Sequence, residues 1–249
     1  MRNNSPGSYA GRFRNPAPAT PAPMPTYEQP EPDESRITRG TIRGHNTEVI
    51  VGAPRLSEGE RRSDHEAAVT AVRAFMDALN MDEGMHTAET PERVVKAWKH
   101  RLAGYDEDPE RHLDKRFPVE GDPGIVIVTG IEFASTCAHH LLPITGKATV
   151  AYRPDPLQGD VVGLSKLSRV FEGYAHRLQV QEKLGQQTAD ALVHALAPLG
   201  AAVIITAEHG CMTIRGVQQR GTVTTTISTG GDWSPGHADL EWVLAEHRR

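Results

Sequence analysis

The chain has 249 residues, 38% of them hydrophobic, with 27 basic against 32 acidic side chains and a formal net charge of -5. That composition supplies one sizeable core plus a tail, and a weakly acidic chain carries no basic footprint for nucleic acid or an anionic membrane surface. No apolar run approaches the roughly 20 residues of a membrane span and the N-terminus lacks an apolar signal core, so a cytoplasmic enzyme is the expected class.

Nine of the 18 prolines fall within the first 60 residues, several in the run Pro16 to Pro25. Such a segment favours extended, solvated backbone and has little apolar surface to offset its ordering entropy. Residues 1–62 are therefore expected to form a disordered proline-rich tail, and 63–249 a folded domain. Ser63 with Glu66 reads as a capping box, followed by Ala68, Val72, Phe75 and Leu79 at helical spacing. Thr90-Pro91-Glu92 marks a second helix start, with Val94, Val95 and Trp98 as its apolar face.

After Gly124 the texture changes. Ile125–Val128 and Ala148–Tyr152 are short β-branched runs bounded by glycine or proline, and predict strands. Ser165 to Arg177 and Val180 to Leu196 predict helices, the second striped by Leu184, Thr188, Ala191, Leu192 and Ala195. Val203–Thr206 and Thr222–Ser228 predict two more strands, and Asp239–His247 a closing helix. The sum is an α+β domain: a helical lead-in, then an antiparallel sheet with a helical pair on one face.

The two cysteines, Cys137 and Cys211, are far apart in sequence. In a reducing compartment they are either unrelated buried thiols or partners on one metal ion. Cys137-Ala138-His139-His140 follows a predicted strand, and a cysteine and histidine three apart on a turn can face one ion. His209-Gly210-Cys211 follows another strand, and continued extension would project 209 and 211 to one side. Cys137, His140 and Cys211 then make a set of three ligands with an open fourth position, the catalytic arrangement for zinc. His139 and His209 beside it are proton carriers, a further ligand, or ordinary strand-end histidines.

These segments resemble the GTP cyclohydrolase I family. Cys137-Ala138-His139-His140-Leu141-Leu142-Pro143 is similar to its Cys-Glu-His-His-Leu-Leu-Pro signature. Gly163–Arg169, Gln179–Glu182, His209–Thr213, Arg215-Gly216-Val217 and Thr90–Val94 follow in keeping with its order. The resemblance spans 63–249 and implies a tunnelling fold, a homodecamer with active sites at subunit contacts, and conversion of GTP to 7,8-dihydroneopterin triphosphate and formate. It implies Zn2+ on Cys137, His140 and Cys211, and proton transfer by His139 and His209. It further implies guanine recognition by Gln181 and Glu182, a triphosphate held by Ser165, Lys166, Arg169 and Arg215, and Ser165 as a catalytic group in the later rearrangement. No nucleic-acid or membrane partner is implied. One position departs from the pattern: Ala138 stands where the family carries glutamate.

The residues bear these roles chemically. Ser165 lies at a predicted helix start, where free N–H groups and the dipole favour an anion, and Lys166 and Arg169 share one face. A capped, solvated helix is the alternative. Glu182 early in a helix suits the dipole, and its carboxylate also matches the N1–H and amine of guanine, a donor pair adenine lacks.

Overall fold

The computed structural model describes residues 37–42, 45–50, 58–81, 84–119 and 121–249, with side chains described from His65 onward. Contacts divide the chain into two units, 1–52 and 53–249. In the first, threonine and β-branched residues form the antiparallel pair β1 (Ile37–Ile42) and β2 (His45–Ile50), with Ile37 opposite Ile50. The expected disordered tail, 1–62, otherwise lies mostly outside the described residues.

In the second unit, α1 (Glu58–Ala78) begins before Ser63, so Ser63 and Glu66 fall within the helix and form no cap. Glu58 and Glu60 already favour a helix start there through the dipole. Its packing line is also displaced from the expected one. Met76 is buried, while Phe75 and Leu79 are 60% and 56% exposed in one chain. The next helix, α2 (Thr90–Arg101), carries Pro91 in its first turn, buries Pro91 and Val95, and packs against α1.

The remaining elements form the expected sheet and helices. Five strands pair in the order β7-β4-β5-β8-β9: β4 (Val126–Cys137), β5 (Pro143–Arg153), β7 (Leu178–Gln179), β8 (Gly200–His209) and β9 (Val223–Gly231). Every pairing is antiparallel except the short one between β4 and β7. A separate two-stranded pair joins β3 (Arg116–Pro118) to β6 (Asp160–Val162). Helices α3 (Leu164–Ala175) and α4 (Gln181–Leu196) cover one face, and α6 (Ala238–His247) packs on the other.

Strand parity explains the two cores. Val203, Ile205 and Ala207 meet Leu167, Val170, Phe171, Leu184 and Leu192 on the helical-pair side. Ala202 and Ile204 point the other way, against Trp233, Leu240 and Val243. Strands covered on both faces read as unbroken apolar runs, as Ala201–Ile205 does. Phe133 meets Phe171 edge to face at 5.1 Å.

The side of α6 adds a polar tie. His247 Nδ1 lies 2.8 Å from Thr149 Oγ1 and Nε2 lies 2.9 Å from Thr206 Oγ1. Burial, aided by the Arg248 charge, holds its pKa below the ordinary histidine value of 6.5. The unfolded chain then binds that proton more readily, so His247 weakens folding as pH falls below about 6.5. Replacing it by glutamine is expected to shrink the loss of stability between neutral and mildly acidic buffer, read from urea midpoints of both proteins.

Close backbone approach sets a second expectation. A Cβ on Gly146 in β5 would stand 2.2 Å from the Thr206 carbonyl oxygen and 2.6 Å from Ala207 Cα. Neither atom can move without disturbing the β5–β8 ladder. Gly146→Ala is expected to destabilise the fold by about 1–3 kcal/mol, measured by urea unfolding.

Candidate active site

The site grows from two strand ends that β5 holds side by side. Thr136 at the end of β4 pairs with Pro143 of β5, and Ile144 of β5 pairs with His209 at the end of β8. By parity, Phe133, Ser135 and Cys137 face the helical pair, as do Ile205, Ala207 and His209.

Between β4 and β5 the chain turns tightly. Cys137 N–H donates to the Leu142 carbonyl at 2.8 Å, and Leu141 N–H returns to the Cys137 carbonyl at 2.9 Å. Leu141 takes a left-handed φ of 56°. The turn brings His140 Nδ1 to 3.9 Å from Cys137 Sγ. Ala138 N–H donates to the Gln179 carbonyl at 2.9 Å, fixing the turn to β7.

Cys211 arrives differently from the expectation of continued extension. The strand stops at His209, and Gly210–Thr213 forms one helical turn, α5. Ile214 N–H closes it on the Gly210 carbonyl at 3.1 Å. Helical winding, rather than strand alternation, carries the Cys211 thiol back toward Cys137.

The donor atoms of Cys137, His140 and Cys211 all lie within 4.8 Å of one another. One tetrahedral ion with thiolate at about 2.3 Å and imidazole at about 2.1 Å would place those two donors about 3.6 Å apart. The observed 3.9 Å between Cys137 and His140 fits such an ion with little adjustment. Burial, and then the neighbouring Cys137, push the Cys211 thiol pKa up, while Arg215 pulls it down. A cation among these donors would offset that shift, since coordination holds a thiol as its thiolate. Three protein donors leave a coordination position open.

Other predicted residues gather around this cluster. His139 lies beside His140, ring centroids 6.3 Å apart. Arg215 Nη1 stands 2.8 Å from His140 Nε2. Glu182, in the first turn of α4, interacts electrostatically with His209. Burial lowers the His209 pKa, and the Glu182 charge opposes that shift. Gln181 is buried, and its side chain is hydrogen-bonded to His209 and to β8 and β9.

Ser165, Lys166 and Arg169 stand together in the first turns of α3, after Gly163 as the N-cap. Among the described residues no hydrogen bond or ion pair joins them to the metal donors. A separate cleft of about 900 Å³ on the α6 face, beside Lys147, Thr206, Thr225 and His247, contains none of the predicted site residues. A supporting residue had no sequence signal: Arg101, in the last turn of α2, donates from Nε to Thr136 Oγ1 at 3.0 Å and to the Ser135 carbonyl. It braces the strand end that carries Cys137, and an arginine closing a basic last turn with Lys99 and His100 reads in sequence only as a partner for the helix dipole.

Comparisons with known proteins agree over the folded region. Residues 68–248 match the family model of GTP cyclohydrolase I. The chain is 45% identical over 171 residues to GTP cyclohydrolase 1 of Carboxydothermus hydrogenoformans, covering 68% of this chain and 86% of that protein. It is 45% identical over 188 residues to GTP cyclohydrolase 1 of Corynebacterium glutamicum, covering 74% and 94% respectively.

The donor geometry sets a direct test. Removing a group that merely supports a ligand costs roughly 10–100-fold in metal affinity, so losing a ligand is expected to cost more. Cys211→Ala should therefore lose at least about a hundredfold in affinity for zinc, measured by competition with a chromophoric chelator. Unchanged affinity would remove Cys211 from the donor set.

Proposed function

The chain belongs to the GTP cyclohydrolase I family, and from that premise we propose that it converts GTP and water to 7,8-dihydroneopterin triphosphate and formate with a zinc ion on Cys137, His140 and Cys211. It is a hydrolase, and the observation that carries the specific reading is the convergence of those three donors with two histidines beside them. Zinc bound there would act as a Lewis acid that activates water near neutral pH.

The protein groups then divide the work. Glu182 accepts from N1–H and the exocyclic amine of guanine, a pairing that ATP cannot offer. Sites built on such pairs discriminate by on the order of 10⁴. Ser165, Lys166, Arg169 and Arg215 neutralise the triphosphate. Lys166 and Arg169 lie on one helical face and Arg215 stands at the metal cluster. With the base so held, water adds at C8 while His139 delivers a proton to N7, and the C8–N9 bond opens to a formamide. Hydrolysis of that formamide frees formate. His209 assists opening of the ribose ring, and Ser165 moves protons in the rearrangement that precedes closure of the pterin ring.

We propose in addition that the chain assembles as a homodecamer with active sites at contacts between copies, as membership of the family suggests. Cytoplasmic location and a role at the head of pterin or folate-type synthesis belong to the same proposal. No described helix is long and apolar enough to cross a membrane.

A second reading follows from Ala138, which is exposed and supplies no carboxylate at the rim of the site. If a proton step depends on that group, turnover halts at the formamide or deformylated pyrimidine. Incubating the zinc-loaded full chain with GTP separates the cases. Formate together with a pterin, fluorescent after oxidation, is the expected result. A formamide or formate without pterin selects the halted reaction, and unchanged GTP overturns both.

A further inference from the structure

Gln181 is the first residue of α4 and is 2% exposed, an unusual position for a glutamine. A buried primary amide has two N–H donors and an oxygen to satisfy. Its Nε2 lies 3.0 Å from the Ile205 carbonyl of β8, 3.0 Å from the Thr224 carbonyl of β9 and 3.1 Å from Thr226 Oγ1. Carbonyl oxygens only accept, so the amide end facing β8 and β9 must be the nitrogen. The opposite end is therefore the oxygen, and it lies 2.7 Å from His209 Nε2.

That geometry constrains the histidine. An amide oxygen only accepts, so His209 must donate through Nε2–H. In a neutral imidazole the lone pair then sits on Nδ1. The contacts of Nε2 commit both N–H donors of Gln181, and its buried oxygen faces His209 and not an outside base, the role its sequence position suggests.

We infer that Gln181 is a positioning residue, whose amide fixes the orientation and tautomer of His209, with the proton on Nε2 and Nδ1 left bare. The inference rests on the reading of His209 as a proton carrier. The chain of control runs from carbonyls of two paired strands, through one amide, to one ring. The Ile205 and Thr224 carbonyls belong to the sheet itself, so a flipped amide would set its oxygen against two carbonyl oxygens, acceptor against acceptor. The oxygen side is aimed at His209, the last residue of β8 and two residues before Cys211.

The test uses zinc-loaded full-length protein labelled with ¹⁵N in histidine, with the His209 signals assigned by their loss in His209→Gln. In the wild type, Nε2 is expected to be the protonated nitrogen and Nδ1 the bare one. Gln181→Met keeps the volume and removes every polar contact; its His209 signals should move toward a mixture of tautomers. The variant's kcat for formate release should fall about a hundredfold, the scale of a displaced general acid or base. Its KM for GTP should stay within about threefold, because the ground-state contacts remain.

A wild-type His209 protonated on Nδ1 would overturn the inference, and that measurement does not depend on the variant folding. A Gln181→Met protein with raised KM and unchanged kcat would also overturn it, making Gln181 a substrate contact. So would unchanged tautomer signals, which would leave a structural tie only. If the wild type releases no formate, the functional reading fails instead, and the nitrogen spectrum still decides who sets the tautomer.

Discussion

Donors from two distant segments meet because β5 is hydrogen-bonded between β4 and β8, with Thr136 opposite Pro143 and Ile144 opposite His209. Register is the deciding quantity. A shift of one residue in either ladder would turn Cys137 or His209 to the opposite face of the sheet, away from α4. The core enforces that register from both sides, since Val203 and Ile205 must meet the helical pair while Ala202 and Ile204 meet α6. Each fully buried aliphatic side chain is worth about 1.5–3 kcal/mol, so a slipped sheet would forfeit several such contributions at once. The placement of the chemistry is thus secured by apolar packing well away from it.

Electrostatics then act on groups already placed. Burial raises the Cys211 thiol and lowers His209, in each case favouring the neutral form. Both effects have one origin, the cost of charge away from water. The sulfur and nitrogen donors of Cys137, His140 and Cys211 stand close enough to share one cation, whose charge would hold the thiols as thiolates. Glu182 and Arg215 bring opposite charges to the rim, so a substrate with a neutral donor edge and an anionic tail would find complementary ends.

Much of this architecture is legible in the sequence, for reasons that can be traced. The helices α3, α4 and α6 show apolar stripes or clear starts, and Pro91 marks α2. The strands are longer than their apolar cores suggest, because pairing continues through polar positions such as Lys147 and Glu208, which break the apolar runs. Residue type and spacing suggest a shared metal, and the resemblance to the family selects Cys137, His140 and Cys211 as the set. The route by which Cys211 reaches the set is not, because a single helical turn after Gly210 leaves no periodic pattern. Arg101 and Gln181 were opaque in function for a related reason. What they do depends on partners contributed by tertiary contact, the Ser135–Thr136 backbone edge for one and Ile205, Thr224 and His209 for the other.

Position 138 shows how far holding the metal and moving protons are separable here. Its backbone N–H is committed to the Gln179 carbonyl, and the turn is closed by Cys137 and Leu141 contacts that involve no side chain at 138. Its side chain is exposed within the chain. Exchanging a carboxylate for a methyl group there leaves the donor geometry intact, since nothing that holds Cys137 or His140 passes through it. A carboxylate in that place acts on charge and protons at the rim, as groups behind metal ligands commonly do. In the proposed reaction the consequence of Ala138 would therefore fall on proton steps and not on metal capture. In the proposed reaction those steps fall to His139, His209 and Ser165, and among these His209 has its ring held by the buried Gln181 amide.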